Sequence, residues 1–110
     1  MRPSSHRPEK FASTLHQHLA EILLSELDNP ELKQITISQV SVSPDLRHAT
    51  VLVSSLQENI DGLLAELEHA AGFIKRLLGQ RMRMRYMPDL AWRRDAGFVM
   101  EQKLARLGKP

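Results

Sequence analysis

Apolar residues along the chain change their period several times, and each change marks an element. Phe11, Leu15, Leu19, Ile22, Leu23 and Leu27 recur at i, i+4, i+8 and i+11, the stripe of an amphipathic helix. Pro8 suits its first turn. Asp28-Asn29-Pro30 closes it, because the residue before a proline resists the α region. From Ile35 the period becomes two. Ile35 and Ile37 share one phase and Val40 and Val42 the other, which predicts a bulge near Ser38-Gln39. Ser43-Pro44-Asp45-Leu46-Arg47 carries turn residues. Ala49, Val51 and Val53 then alternate with Thr50, Leu52 and Ser54 as a returning strand. Both strands are rich in β-branched residues, so an antiparallel hairpin is expected.

Helical spacing resumes after Asn59, an N-cap with Asp61 in the first turn behind it. Leu63, Leu64, Leu67, Ala70 and Ala71 form an apolar face, and Phe73, Ile74, Leu77 and Leu78 continue it beyond Gly72. Glycine inside a helix is worse than alanine by about 1 kcal/mol, so Gly72 marks a kink or a break. Gly79 is the expected stop. From Arg81 to Arg94 the chain is expected to run extended. Met82, Met84, Tyr86, Leu90 and Trp92 then point one way, and Arg81, Arg83, Arg85 and Arg93 the other. Pro88 requires an edge, a bulge or a break. Phe98 to Leu107 has Met100, Leu104 and Leu107 at helical spacing, a short last helix that Asp95 would cap.

The order is helix, strand, strand, helix, kink, helix, strand, short helix. A hairpin and a third strand bury their apolar side only under helices. The expected fold is therefore α+β, a two-layer sandwich with a three-stranded sheet and its helices on one face. At 110 residues the chain is expected to be one domain, with residues 1–7 as an arm and 108–110 as a tail. There is no cysteine, which removes disulfides, thiolate zinc sites and cysteine nucleophiles. No apolar run approaches the ~20 residues of a membrane span. The first residues are basic with no apolar stretch behind them, unlike a signal peptide, so the cytoplasm is the expected location.

Charge sharpens the picture. The net charge is only +2, but it is segregated. Glu21, Glu26, Asp28 and Glu31 form one acidic stretch; Glu58, Asp61, Glu66 and Glu68 form a second. Between Lys75 and Arg94, seven bases face one acid, Asp89, for a local charge of +6, and six of the seven are arginine. Arg7 and Lys10 add to this from the N-terminal side. Arginine grips phosphate with two parallel bonds and stacks on bases, so the stretch points to a polyanion. Pairing with the protein's own acids is the alternative.

Candidate chemistry is sparse. His16 and His18 lie two apart on a helix, about 200° around the axis, and do not chelate one metal. His48 and His69 are isolated, and Asp45 belongs to a turn. No phosphate-cradling glycine loop is present. An RNA binder without catalysis, metal or cofactor is the expectation. Lys75, Arg76, Arg81, Arg83, Arg85, Arg93, Arg94, Arg7 and Lys10 are the RNA-binding candidates. Arg81, Arg83 and Arg85 would form a strand row spaced by roughly 7 Å. About five phosphate contacts imply a log–log salt slope of roughly −3.5 to −4.5. Trp92 and Tyr86 share the phase of Met84 and Leu90, which assigns them to the core ahead of base stacking; Met82, Met84 and Met87 are gap-fillers. The second reading is a self-association module, in which acidic helices and the basic segment of separate copies dock.

Several segments, in order, carry a resemblance. They are Asn29-Pro30-Glu31-Leu32, Ile35-Thr36-Ile37, Val40-Ser41-Val42-Ser43-Pro44-Asp45-Leu46 with Ala49, Ala70-Ala71-Gly72-Phe73-Ile74-Lys75-Arg76, and Pro88-Asp89-Leu90-Ala91-Trp92-Arg93-Arg94-Asp95. With these, the chain resembles the ribosome-binding factor A family, bacterial assembly factors of the small ribosomal subunit, from Arg7 to about Leu107. The resemblance implies a KH-type fold of the type II arrangement. In it an Ala-x-Gly kink, here Ala70 to Gly72, replaces the Gly-x-x-Gly loop. It further implies binding to free 30S subunits, help in late maturation and 5′-end processing of 16S RNA near its 5′-terminal helix region, and activity at low temperature. A monomer is expected.

Overall fold

The computed structural model describes residues 7–56 and 59–95. Helix α1 (Arg7–Ser25) is followed by a 3₁₀ turn (Leu32–Gln34) and the strands β1 (Thr36–Val42) and β2 (His48–Ser54). Helices α2 (Ile60–His69) and α3 (Ala71–Arg81) lead to β3 (Asp89–Arg94). The sheet order is β1-β2-β3, with β1 antiparallel and β3 parallel to the central β2. This is the expected α+β architecture. The expected last helix, the N-terminal arm before Arg7 and the tail lie outside the described residues.

The bulge falls where the phase slip placed it, between Ile37 and Gln39. Its effect is visible in the register. Ile37 faces Val53, Val40 faces Val51 and Val42 faces Ala49, so one extra residue keeps odd and even positions on one inner face. Leu90 and Trp92 of β3 stand level with Ala49 and Val51. Against this face pack Leu15, Leu19 and Ile22 of α1, Leu67 of α2, and Ile74 and Leu78 of α3, all fully buried. Each such side chain contributes roughly 1.5–3 kcal/mol by leaving water. Trp92 is 4% exposed, the core role expected for it. The other sheet face carries Gln39, Ser41, Thr50, Ala91 and Arg93 around a half-buried Leu52.

Four boundaries differ from the sequence reading. Helix α1 ends at Ser25 rather than at Asp28; the Asn29 side chain instead accepts from the Glu31 N–H at 2.9 Å, an Asx turn that competes with helix. The α2–α3 break is real, but Ala70 carries it, with φ −85° and ψ 0°. Gly72 lies inside α3. Gly79 does not stop α3. The Met82 N–H still reaches the Leu78 carbonyl at 2.8 Å, and the chain leaves the helix only at Met82, with φ −123° and ψ 142°. Finally, the strand begins at Asp89, not Arg81. Arg81 is helical and residues 82–88 are irregular, so the expected strand row of Arg81, Arg83 and Arg85 does not exist. Pro88 is buried and has no N–H to donate. The ladder starts one residue later, where the Asp89 N–H bonds the Arg47 carbonyl at 2.8 Å.

Candidate nucleic-acid interface

Three chain-distant segments meet at the end of the sandwich where α3 finishes. The first is the start of α1. Arg7, Lys10, Phe11, Thr14 and His18 follow a spacing of three and four, which places them on one helix stripe. The second is the hairpin turn. Ser43 Oγ donates to Asp45 Oδ1 at 2.6 Å, the Arg47 N–H bonds the same oxygen at 3.1 Å, and the His48 N–H bonds Ser43 Oγ at 3.0 Å. These bonds hold Leu46 at φ 63°, a left-handed conformation that disfavours a branched side chain by about 1–2 kcal/mol. They also keep the Asp45 carboxyl below its usual pKa, the Ser43 hydroxyl first and the Arg47 N–H second. The third segment is the irregular stretch after α3, Met82 to Tyr86.

Between them lies a trench with two adjoining compartments of about 330 and 550 Å³. Both are lined by Arg7, Phe11, Leu46, Met84 and Arg85. The larger adds Lys10, Arg81, Met82 and Arg83; the smaller adds Pro44, Asp45 and Tyr86. Five of the nine candidate bases, Arg7, Lys10, Arg81, Arg83 and Arg85, are thus gathered around an apolar floor. Their sequence separation had hidden this, since α1 and the post-α3 stretch come together only in the fold.

The five are not equivalent. Arg81 places Nη1 at 3.2 Å from Glu21 and Nη2 at 3.3 Å from Glu26, so the pairing alternative holds for this residue. Such a partly exposed pair is worth about 1 kcal/mol or less; its role is to pin the end of α3 to α1. Lys10, Arg83 and Arg85 are exposed. The remaining candidates lie elsewhere. Lys75 Nζ sits 3.9 Å from Asp89, and Arg76 lies 5.9 Å from the Phe73 ring centroid. Arg93 stands on the open sheet face and Arg94 at the strand end. Ala70 and Gly72 mark the opposite end of α3, roughly 16 Å away at 1.5 Å per residue.

One residue assigned otherwise by sequence lines the trench, and a second residue stands beside it. Tyr86 is not in the core; it is 55% exposed, because the irregular backbone of 82–88 breaks the alternation that linked it to Leu90. Arg47, never a candidate, has its guanidinium 5.1 Å from the Tyr86 ring centroid, with that of Arg85 at 5.7 Å, both within cation–π range. The half-buried Met82, Met84 and Met87 fill gaps against the core as expected. Among the histidines, His16 Nε2 donates to the Ile37 carbonyl at 3.0 Å, which fixes it as a structural contact. Among the described residues no group of histidines and carboxylates is arranged to hold a metal. No helix there is long and apolar enough to cross a membrane.

Comparison with known proteins agrees with the architecture. The family model for ribosome-binding factor A matches residues 7–107. Ribosome-binding factor A of Alkalilimnicola ehrlichii is 38% identical over 104 residues, covering 92% of this chain and 80% of that protein. The Thermomicrobium roseum protein is 36% identical over 105 residues, covering 94% and 81%. The crystal structure of Thermus thermophilus ribosome-binding factor A superposes with a TM-score of 0.69 at 29% identity, over 77% of this chain and 92% of the other. A Thermus thermophilus model fitted into the cryo-EM map of a complex of the 30S subunit with ribosome-binding factor A gives 0.63 at 31% identity, over 73% and 86%. The sheet and helices described above are the KH-like fold of these structures. By family match, sequence identity and fold together, this chain is a member of the ribosome-binding factor A family.

Proposed function

We propose that this protein binds the small ribosomal subunit during its assembly and that the trench is part of the RNA-contacting surface. The observation that carries the reading is the convergence of Arg7, Lys10, Arg83 and Arg85 from two distant segments onto one groove. Such a surface favours phosphate and loses affinity with salt. Phosphate contacts position a protein without reading sequence, so recognition of the subunit rests on RNA shape and on neighbouring proteins. The relative fitted into a 30S map supports this partner. The protein then acts by holding a conformation of immature 16S RNA, which promotes late maturation and exposes the 5′ end to processing, and it leaves when the mature shape no longer fits. Catalysis is not required. Lys75, Arg76, Arg93 and Arg94 serve as secondary contacts where the RNA extends past the trench.

Sedimentation with free small subunits, large subunits and whole ribosomes at two salt concentrations tests this. The expected result is co-sedimentation with free small subunits, weakened by salt and by Lys10→Glu with Arg83→Glu. Binding to no particle at low salt, with concentration-dependent sedimentation of the protein alone, would favour self-association instead.

A further inference from the structure

The trench is more than a cationic surface. Phosphate binding alone has no use for an apolar floor, yet Phe11, Leu46 and Met84 line both compartments. The charges are also sorted. Arg7 and Arg85 line both compartments, Lys10, Arg81 and Arg83 only the larger, and the smaller alone adds the ring of Tyr86 and a carboxylate, Asp45. An ionised carboxylate repels phosphate and accepts bonds from the amino and imino groups of a base. Asp45 is ionised at neutral pH, and its bonds to Ser43 and the Arg47 N–H favour that form further. Both turn bonds of Asp45 go to Oδ1, and Oδ2 takes none among the described residues. Tyr86 stands more than half exposed at the rim beside two guanidiniums, and aromatic rings and guanidinium planes are the surfaces on which unstacked bases lie. At about 330 Å³ the smaller compartment is at the lower end of small-ligand sites, the size of one nucleotide and far short of a duplex. Leu46 closes its floor in a backbone conformation that glycine or asparagine would adopt with less strain. Strain of this kind is held by the turn bonds around it and clusters at functional sites.

We infer that the trench captures one unpaired nucleotide of the RNA, its base in the smaller compartment against Tyr86 and Leu46 and its flanking phosphates in the larger one against Lys10 and Arg83. The inference rests on the proposed RNA contact and narrows it to a flipped-out or bulged residue. Guanine fits best, because its N1–H and N2–H donors converge on the open Oδ2 of Asp45, whereas the single donor of uracil is flanked by two carbonyl oxygens that a carboxylate repels.

The test uses the full chain and three RNA hairpins identical except at one position: a bulged guanosine, a bulged abasic site, and no bulge. Fluorescence anisotropy gives each affinity. The expected result is that the bulged guanosine binds about 5- to 150-fold more tightly than the abasic hairpin, the range of one base–aromatic stack. Tyr86→Ala should remove most of this preference, lowering affinity for the guanosine hairpin far more than for the abasic and fully paired ones. Asp45→Asn, which preserves the turn acceptor, should narrow the preference for guanosine over a bulged uridine. Lys10→Gln with Arg83→Gln should weaken all three hairpins alike. Equal binding of the guanosine and abasic hairpins by the unaltered protein, with salt-sensitive affinity for both, overturns the nucleotide pocket and leaves the RNA-binding reading standing. Absence of binding to every hairpin at low salt overturns both.

Discussion

Gly72 offers a sharp test of where the helix break resides. It lies in the first turn of α3, two residues after Ala70, and its φ is not positive. A Cβ built on it meets no atom within 4 Å. Gly72→Ala therefore introduces no clash and buries no new surface, which leaves the backbone term alone. Replacing glycine by alanine in an ordinary helical conformation stabilises by about 0.4–1 kcal/mol, chiefly by restricting the unfolded chain. At about 4–8 °C per kcal/mol for a domain near this size, the melting temperature should rise by roughly 2–8 °C. The denaturant midpoint should rise with an unchanged m-value. RNA affinity should stay the same, since the trench is at the other end of α3. Destabilisation beyond about 0.5 kcal/mol would show that the break needs a glycine backbone at 72, contrary to the placement of the break on Ala70. A loss of RNA binding without loss of stability would move the interface toward the break.

Gly62→Ala should behave in the opposite way, because its Cβ would come within 2.4 Å of the Asn59 side chain that caps α2. Asn59→Ala should cost about 1 kcal/mol, and the double variant should cost less than the sum, as a shared cap predicts. Trp92 Nε1 is buried without a partner among the described residues, so Trp92→Phe should be tolerated within about 1.5 kcal/mol. Trp92→Ala should cost about 3–5 kcal/mol in denaturant titrations. Arg81→Gln should destabilise by about 1 kcal/mol or less at low salt and by a smaller amount at high salt, a difference that a melting series resolves. The depressed pKa of Asp45 stabilises the folded state above the carboxyl's unfolded value near 3.8. This contribution is lost as pH falls through the lower folded value. NMR titration should therefore show Asp45 protonating below the unfolded reference, and Ser43→Ala should move it back up.

Much of the fold was legible because it is written in local periodicity. The α1 stripe, the Ser38 bulge, the hairpin and the Asn59 cap each follow from residues within a few positions of one another. The misreadings share a cause as well. Alternation of Arg81, Met82, Arg83, Met84 and Arg85 is compatible with a strand, but Arg81 is held helical by a carbonyl ladder that tolerates Gly79 and by a clamp to Glu21 and Glu26, 60 and 55 residues earlier. Nothing local announces those partners. The basic character of the site was likewise visible, whereas its shape was not. Tyr86, Arg47 and Leu46 acquire their roles only when the hairpin turn and the post-α3 stretch are set side by side.

The parallel pairing of β3 with β2 has a consequence in time. His48 and Asp89 are neighbours in the sheet but 41 positions apart in the chain, so this strand closes after the local hairpin and helices, once a long loop has been drawn in. The stretch from Met82 to Pro88 is tethered by that closure. A nascent or partly opened chain therefore displays the arginines of this stretch as a loose cationic strand, which on the proposed RNA-binding reading has general affinity for RNA. Selectivity arrives with the last strand. Local opening of β3 would likewise unmake the trench while α1 and the hairpin stay folded, a change that hydrogen exchange at Asp89 to Arg94 follows directly.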